Sequence, residues 1–153
     1  ANDFGREVLA GKNPFEVTSA DELQRFLHIV FKHPPFAPWP ATRALVRQRS
    51  REAAFEQEVL DRIGRGPEAL LLAQRLGQVR APTLLLWCRN DQVIDVSAMA
   101  IFGAGIRNQR SVLLNGCGHM PMMEQPKLTA IALDAFARSS LRPRGGAQVV
   151  ATR

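Results

Sequence analysis

The amino-acid sequence predicts an α/β protein with a helical first half and a second half that runs strand, helix, strand, helix. Three observations carry that prediction. In the first half apolar residues return at helical spacing, as in Leu23, Phe26, Leu27, Val30 and Phe31. In the second half two short, unbroken apolar runs at residues 83–87 and 111–114 have the character of strands covered on both faces. A helical stretch joins the two runs within about 30 residues, the length of a βαβ unit, so the strands are expected to be parallel. With 46% apolar residues in 153, the chain can bury one ordinary core, and it shows no internal repeat.

The first helix is expected at residues 20–32, because Ser19 and Glu22 make an S-x-x-E capping box in front of the apolar stripe. The segment HPPFAPWP at residues 33–40 stops it, since half of that segment is proline, which removes amide donors and keeps the chain extended. Helical pattern resumes at 41–49 and again at 52–63, where Phe55, Val59 and Ile63 recur every four residues before Gly64 and Gly66 end the run. A short, largely buried helix follows at 67–76, opened by Pro67, closed by Gly77 and carrying Leu70, Leu71 and Leu72. Beyond a boundary at 77–82 come the strand at 83–87, a loop at 88–95, a helix at about 96–106, the strand at 111–114 and an amphipathic helix at 125–138. Two parallel strands cannot build a core with helices on both faces, so most of the sheet is expected to lie outside this chain.

Charge and composition narrow the function classes. Arg138, Arg142, Arg144 and Arg153 supply four of the six net positive charges and sit at or beyond the last helix. The basic excess therefore reads as a flexible, solvated tail at residues 139–153, and no nucleic-acid partner is expected. No apolar run approaches the roughly 20 residues that cross a bilayer, and residues 1–10 lack the basic start of a secretion signal. A soluble segment is expected, belonging to a protein either cytoplasmic or held at a membrane through sequence that precedes it. Cys88 and Cys117 are too few for a disulfide framework or a zinc site and read as small core or loop residues. Each follows a strand at one sheet edge, so a bond between them stays open, although nothing else in the sequence speaks for an oxidising compartment.

Asp91 follows the first strand and His119 the second, which puts both at the C-terminal edge of a parallel sheet, where open α/β sheets carry their sites. Neighbouring strands bring the two loops within side-chain reach. An aspartate there accepts a hydrogen bond from His Nδ1–H, fixes the tautomer and stabilises the imidazolium formed when Nε2 takes a proton from a nucleophile. The pair amounts to two-thirds of a catalytic triad. Asp95 is the rival acid, but it directly precedes a helix and reads as its cap. Glu124 reads as structural, a negative charge at the start of the last helix. His28 and His33 have no carboxylate or cysteine partner in evident range and read as structural or exposed.

Residues 81–136 resemble the end of α/β-hydrolases, which read Pro, apolar strand, Trp-Gly-x-x-Asp, helix, strand, Gly-x-Gly-His and Glu-x-Pro. The corresponding stretches here are APTLLLWCRND, SVLLNGCGH and MEQP. Three separated motifs in the right order, each in its strand-to-loop context, make the likeness fairly specific. It implies that Asp91 is the triad acid and His119 the base. The DQVIDVS and GHMPMMEQP segments look most like lipase and esterase members, and NPFEV with HPPFAPWP resembles the helical cap such members insert before their last two strands. On that likeness residues 1–78 are a cap and 79–138 the C-terminal part of the hydrolase core. Phe36 and Trp39 in the proline-rich segment, with Val93 and Met120 beside the acid and base, become candidates for contacting substrate. Of Met120, Met122 and Met123, at least two read as core filling. Cys88 departs from the pattern, standing where the family has glycine.

The family also needs a G-x-S-x-G elbow and oxyanion-hole amides, and no serine here has flanking glycines at the elbow spacing. The resemblance therefore implies the C-terminal part of a serine hydrolase acting on small-molecule or lipid carboxylic esters, partnered by a missing N-terminal half that supplies the serine. Strands of a second copy, as a homo-oligomer, are another way to cover the sheet edge. No metal ion or organic cofactor is implied. Two alternatives remain: the same fold cleaving a carbon–carbon bond, and a non-catalytic helical interaction module in which Asp91 and His119 only hydrogen-bond.

Overall fold

The computed structural model describes residues 2–67, 69 and 71–140. Most of the expected tail, residues 141–153, and Leu70 of the expected short helix lie outside the described residues. Helix α1 (Asp3–Leu9), which the sequence reading did not assign, is started by Asn2, whose side chain accepts the Gly5 amide at 2.9 Å. Helix α2 (Ala20–Val30) begins with the expected capping box: Ser19 Oγ accepts the Glu22 amide while the Glu22 carboxylate accepts the Ser19 amide. Its inward face, Leu23, Leu27 and Val30, is buried.

Expected helices at 41–49 and 52–63 are one continuous helix, α3 (Trp39–Gly64). Ser50 lies between them inside the helix, its hydroxyl within reach of two acceptors, the Val46 carbonyl at 2.8 Å and the Val17 carbonyl at 3.2 Å. The helix also starts earlier than expected, inside the proline-rich segment, since Pro40 stands in the first turn, where a missing amide breaks no helical bond. The expected helix at 67–76 is shorter, α4 (Leu71–Arg75), followed by a 3₁₀ turn, Leu76–Gln78, that contains Gly77. It is not largely buried: Leu71 and Leu72 are exposed, and Leu76 carries the burial instead.

Strands β1 (Thr83–Cys88) and β2 (Gln109–Leu114) are parallel, in the register Thr83 opposite Gln109 through Cys88 opposite Leu114. Helix α5 (Ser97–Gly105) makes the crossover, and a short α6 (Pro121–Glu124) leads into α7 (Pro126–Ser140). Both α5 and α7 pack against both strands. The strands are only half covered, with Leu85, Cys88 and Leu114 buried, while Ile101, Ile131 and Leu133 on the helices stand exposed. A sheet with more strands would cover such surface, as in the C-terminal part of a larger α/β fold.

The main apolar cluster joins the two halves of the chain. Val17, Leu23, Leu27, Val30 and Phe31 from the helical half pack with Val93 from the loop after β1, and Met120 from the loop after β2 lies against them. Met122 and Met123 are exposed, so the expectation that at least two of the three methionines after the histidine fill core does not hold. Among the described residues no helix is long and apolar enough to cross a membrane.

Candidate active site

Both loops at the C-terminal edge of the sheet rest on the end of α2. The last carbonyl of that helix, Val30, has no helical partner and accepts the His119 amide at 2.7 Å. This approach needs the glycine at 118, because a Cβ there would come within 2.8 Å of the Val30 oxygen and the Lys32 nitrogen, both backbone atoms. Glu124 closes the arrangement: one carboxylate oxygen accepts the Gly118 amide at 2.6 Å and the other the His33 amide at 2.9 Å. Its place near the last helix was read as suiting the helix dipole; the structure has it tying the histidine loop to the chain that leaves α2. The acid loop is moored to the same helix end, with Lys32 Nζ donating to Asn90 Oδ1 and Gln92 Nε2 to the His28 carbonyl.

Asp91 divides its oxygens between two tasks. Oδ1 accepts the Val93 and Ile94 amides at 2.9 and 3.0 Å, which fixes the carboxylate in its own turn. Oδ2 lies 3.0 Å from His119 Nδ1. A carboxylate only accepts, so Nδ1 is the donor, and in a neutral ring Nε2 would be the acceptor. The Asp91 side chain is 7% exposed, against 33% for that of His119. Thus the acid is shielded while the ring edge stays accessible. Asp95 accepts the amide of Ser97, the first residue of α5, at 2.9 Å, while the helix's N-cap position is Val96. The Ser97 hydroxyl first, then its amide, hold the Asp95 carboxyl below the usual aspartate range.

Cys88 and Cys117, read as separate small residues, are joined by a disulfide with Cα atoms 5.3 Å apart, and both are buried. Tertiary placement explains it. Cys88 ends β1 opposite Leu114, and the turn after Leu114 brings Cys117 back over it. The bond ties the acid loop to the histidine loop, three residues before Asp91 and two before His119.

His119 forms part of the wall of a groove of about 480 Å³ between α2 and α3, with Met120 beside it. Phe15, Phe26, Phe31, Phe55 and Val59 contribute much of the lining. Its charged pair is Arg49 and Glu56, whose Nη1 and Oε1 are 2.7 Å apart; the guanidinium also lies 4.6 Å over the Phe26 ring. Burial pushes the Glu56 carboxyl up, against the pull of Arg49. Of the other residues singled out for substrate contact, Val93 is buried in the main cluster, while Phe36 and Trp39 are 91% and 72% exposed and do not line this groove. The groove aromatics were not singled out from sequence. Phe55, Val59 and Ile63 were visible there only as a four-residue repeat, which marks a helix face without saying what that face lines.

No family model matches the chain. Monoacylglycerol lipase ABHD6 of Bos taurus is 29% identical over 128 residues, covering 84% of this chain and 38% of that protein. Lipase 3 of Moraxella sp. (strain TA144) is 26% identical over 124 residues, covering 81% and 39%. The chain thus spans about two fifths of the length of these curated relatives. Among solved structures, a membrane phospholipase A described as a bacterial virulence factor superposes with a TM-score of 0.81 at 28% identity, covering 94% of this chain and 46% of that one. On sequence and on fold together, the chain is similar to lipase- and esterase-like α/β-hydrolases, and its architecture is that of the C-terminal part of the α/β-hydrolase fold.

Proposed function

We propose that this chain is the C-terminal part of a serine hydrolase that cleaves carboxylic esters bearing an apolar acyl group, and that Asp91 and His119 are its acid and base. The observation that carries the reading is the hydrogen bond between His119 Nδ1 and the largely shielded Asp91 side chain, with His119 in the wall of an apolar groove. Residues 1–78 act as the helical cap over the groove and 79–138 as the end of the core. The nucleophile is a serine outside these residues.

In this reading His119 Nε2 takes the serine hydroxyl proton as Oγ attacks the ester carbonyl. Asp91 stabilises the imidazolium, which then gives the proton to the departing alkoxide. Water repeats the sequence on the acyl-enzyme with the same base, releasing the acid. The aromatic wall accepts the acyl chain by burying its methylenes, each worth about 0.8 kcal/mol. The 153 residues alone, without an elbow serine, are expected to be inactive.

The test is hydrolysis of short- and medium-chain chromogenic esters by the complete protein. His119→Ala should lower kcat by about a million-fold and Asp91→Asn by about ten-thousand-fold. Substantial turnover retained by the histidine variant overturns the assignment of the base.

A further inference from the structure

Helix α3 is pinned where it crosses α2. Val46 packs against the main cluster, Arg49 Nη2 donates to the Phe15 carbonyl at 2.9 Å, and the Ser50 hydroxyl lies 3.2 Å from the Val17 carbonyl. Two crossing helices are closest at their contact and diverge from it, so the groove narrows toward this point. The Arg49–Glu56 pair stands there, its guanidinium 4.6 Å over the ring of Phe26, which precedes Val30 by one turn of α2. Val30 in turn holds the His119 amide. The pair is therefore removed from the histidine loop by roughly 5 to 10 Å, the span of about four to eight extended methylenes. Apart from His119, the other residues that line the groove are apolar.

We propose that the Arg49–Glu56 pair sets the length of acyl chain that the groove accepts: the chain is held from His119 as far as the pair and no further, so esters of short- and medium-chain acids are the preferred substrates. The inference rests on the groove being the acyl site proposed above. Both charges are already largely withdrawn from water, each side chain being 22% exposed, and Arg49 Nε is buried with no hydrogen-bond partner among the described residues. Burial outweighs the pull of Arg49 in setting the Glu56 carboxyl. A methylene chain sliding past strips the hydration that is left and returns no hydrogen bond, which opposes the gain from burying its own surface. The guanidinium is occupied by Glu56, the Phe15 carbonyl and the Phe26 ring, so the pair acts as a barrier and not as a socket for a polar group of the substrate. These contacts all lie within the chain, and strands outside it can only bury the pair further.

The test is kcat/KM of the complete protein on chromogenic esters from butyryl to hexadecanoyl, each below its micelle concentration. The readout is the ratio of the dodecanoyl to the butyryl ester, from which general damage to the fold or to the acid and base divides out. In the parent, kcat/KM should climb by roughly fourfold per methylene and level off once the chain reaches the pair. Arg49→Met with Glu56→Leu, apolar side chains of similar size, should let the climb continue and raise the ratio about a hundredfold. Arg49→Gln with Glu56→Gln, which removes both charges and keeps the side chains polar, should raise it less. Asp61→Leu with Arg65→Met removes an ion pair of the same kind on the same stretch of chain, outside the groove, and should leave the ratio where it was. A climb that passes the pair unchecked in the parent, a ratio unmoved in Arg49→Met with Glu56→Leu, or an equal rise in the Asp61 and Arg65 variant overturns the inference while ester hydrolysis stands. Absence of His119-dependent turnover of the butyryl ester overturns the hydrolase reading itself, and the inference with it.

Discussion

Asp91 and Glu124 are two carboxylates at the histidine loop, and they differ in what their oxygens hold. Asp91 spends one oxygen on its own turn and one on the imidazole; Glu124 spends both on backbone amides, Gly118 and His33. Glu124 is therefore a positioning residue in the proposed site. Glu124→Ala leaves both amides without that acceptor and should cost about 2 kcal/mol in urea unfolding, with Glu124→Gln intermediate because one acceptor oxygen remains. Gly118→Ala drives a Cβ into the Val30 carbonyl, so the loop must move off the helix end. The expected result is a lower Tm together with loss of the His119–Asp91 hydrogen bond, seen as disappearance of the low-field imidazole proton resonance. An unchanged imidazole signal in this variant would separate the loop's docking from the pair's geometry.

At the scale of elements, α2 bears most of the weight, since its buried face holds the main cluster and its end receives both site loops. Its start is fixed by Ser19 and Glu22. Ser19→Ala should destabilise the protein by about 1 kcal/mol, the usual cost of removing an N-cap hydroxyl. The hydroxyl and amide of Thr18, and then those of Ser19, hold the Glu22 carboxyl below the usual range. A carboxylate whose folded value is depressed adds stability above its unfolded value and loses it as pH falls through the folded one. Tm measured from pH 7 downward should therefore begin to fall near pH 4 to 5, about the unfolded glutamate range, and Glu22→Gln should flatten that part of the profile. A fall of the same steepness in Glu22→Gln would assign the acid sensitivity to other carboxylates.

For the molecule as a whole, the Cys88–Cys117 bond closes a loop across the crossover helix and joins the ends of the two strands, at a sequence separation of 29. Loop-closure entropy for that length gives about 3 to 4 kcal/mol. Cys88→Ala with Cys117→Ala should lower unfolding stability by about that amount, and reductant should then have no further effect on the variant. In the complete hydrolase proposed above, the same substitution should reduce kcat more than it raises KM, because the bond holds the acid and base loops together and not the acyl groove. The exposed apolar residues of α5 and α7 belong to this scale too, as surface that further strands of the fold would cover.

Much of this protein is determined by local chemistry and so could be read along the chain. The capping box at Ser19, the two apolar strand runs, the parallel crossover and the placement of Asp91 and His119 after successive strands all follow from short-range pattern, and the motifs around them carried the resemblance to α/β-hydrolases. What needed tertiary structure depends on which distant atoms meet. Cys88 bonds Cys117 because strand register stacks the two loops. Glu124 reaches Gly118 and His33 because α2 ends beneath them. The aromatic groove exists because α3 crosses α2, which no periodicity in either helix specifies: a repeat identifies the apolar face of a helix, but only the packing decides whether that face fills a core or lines a site.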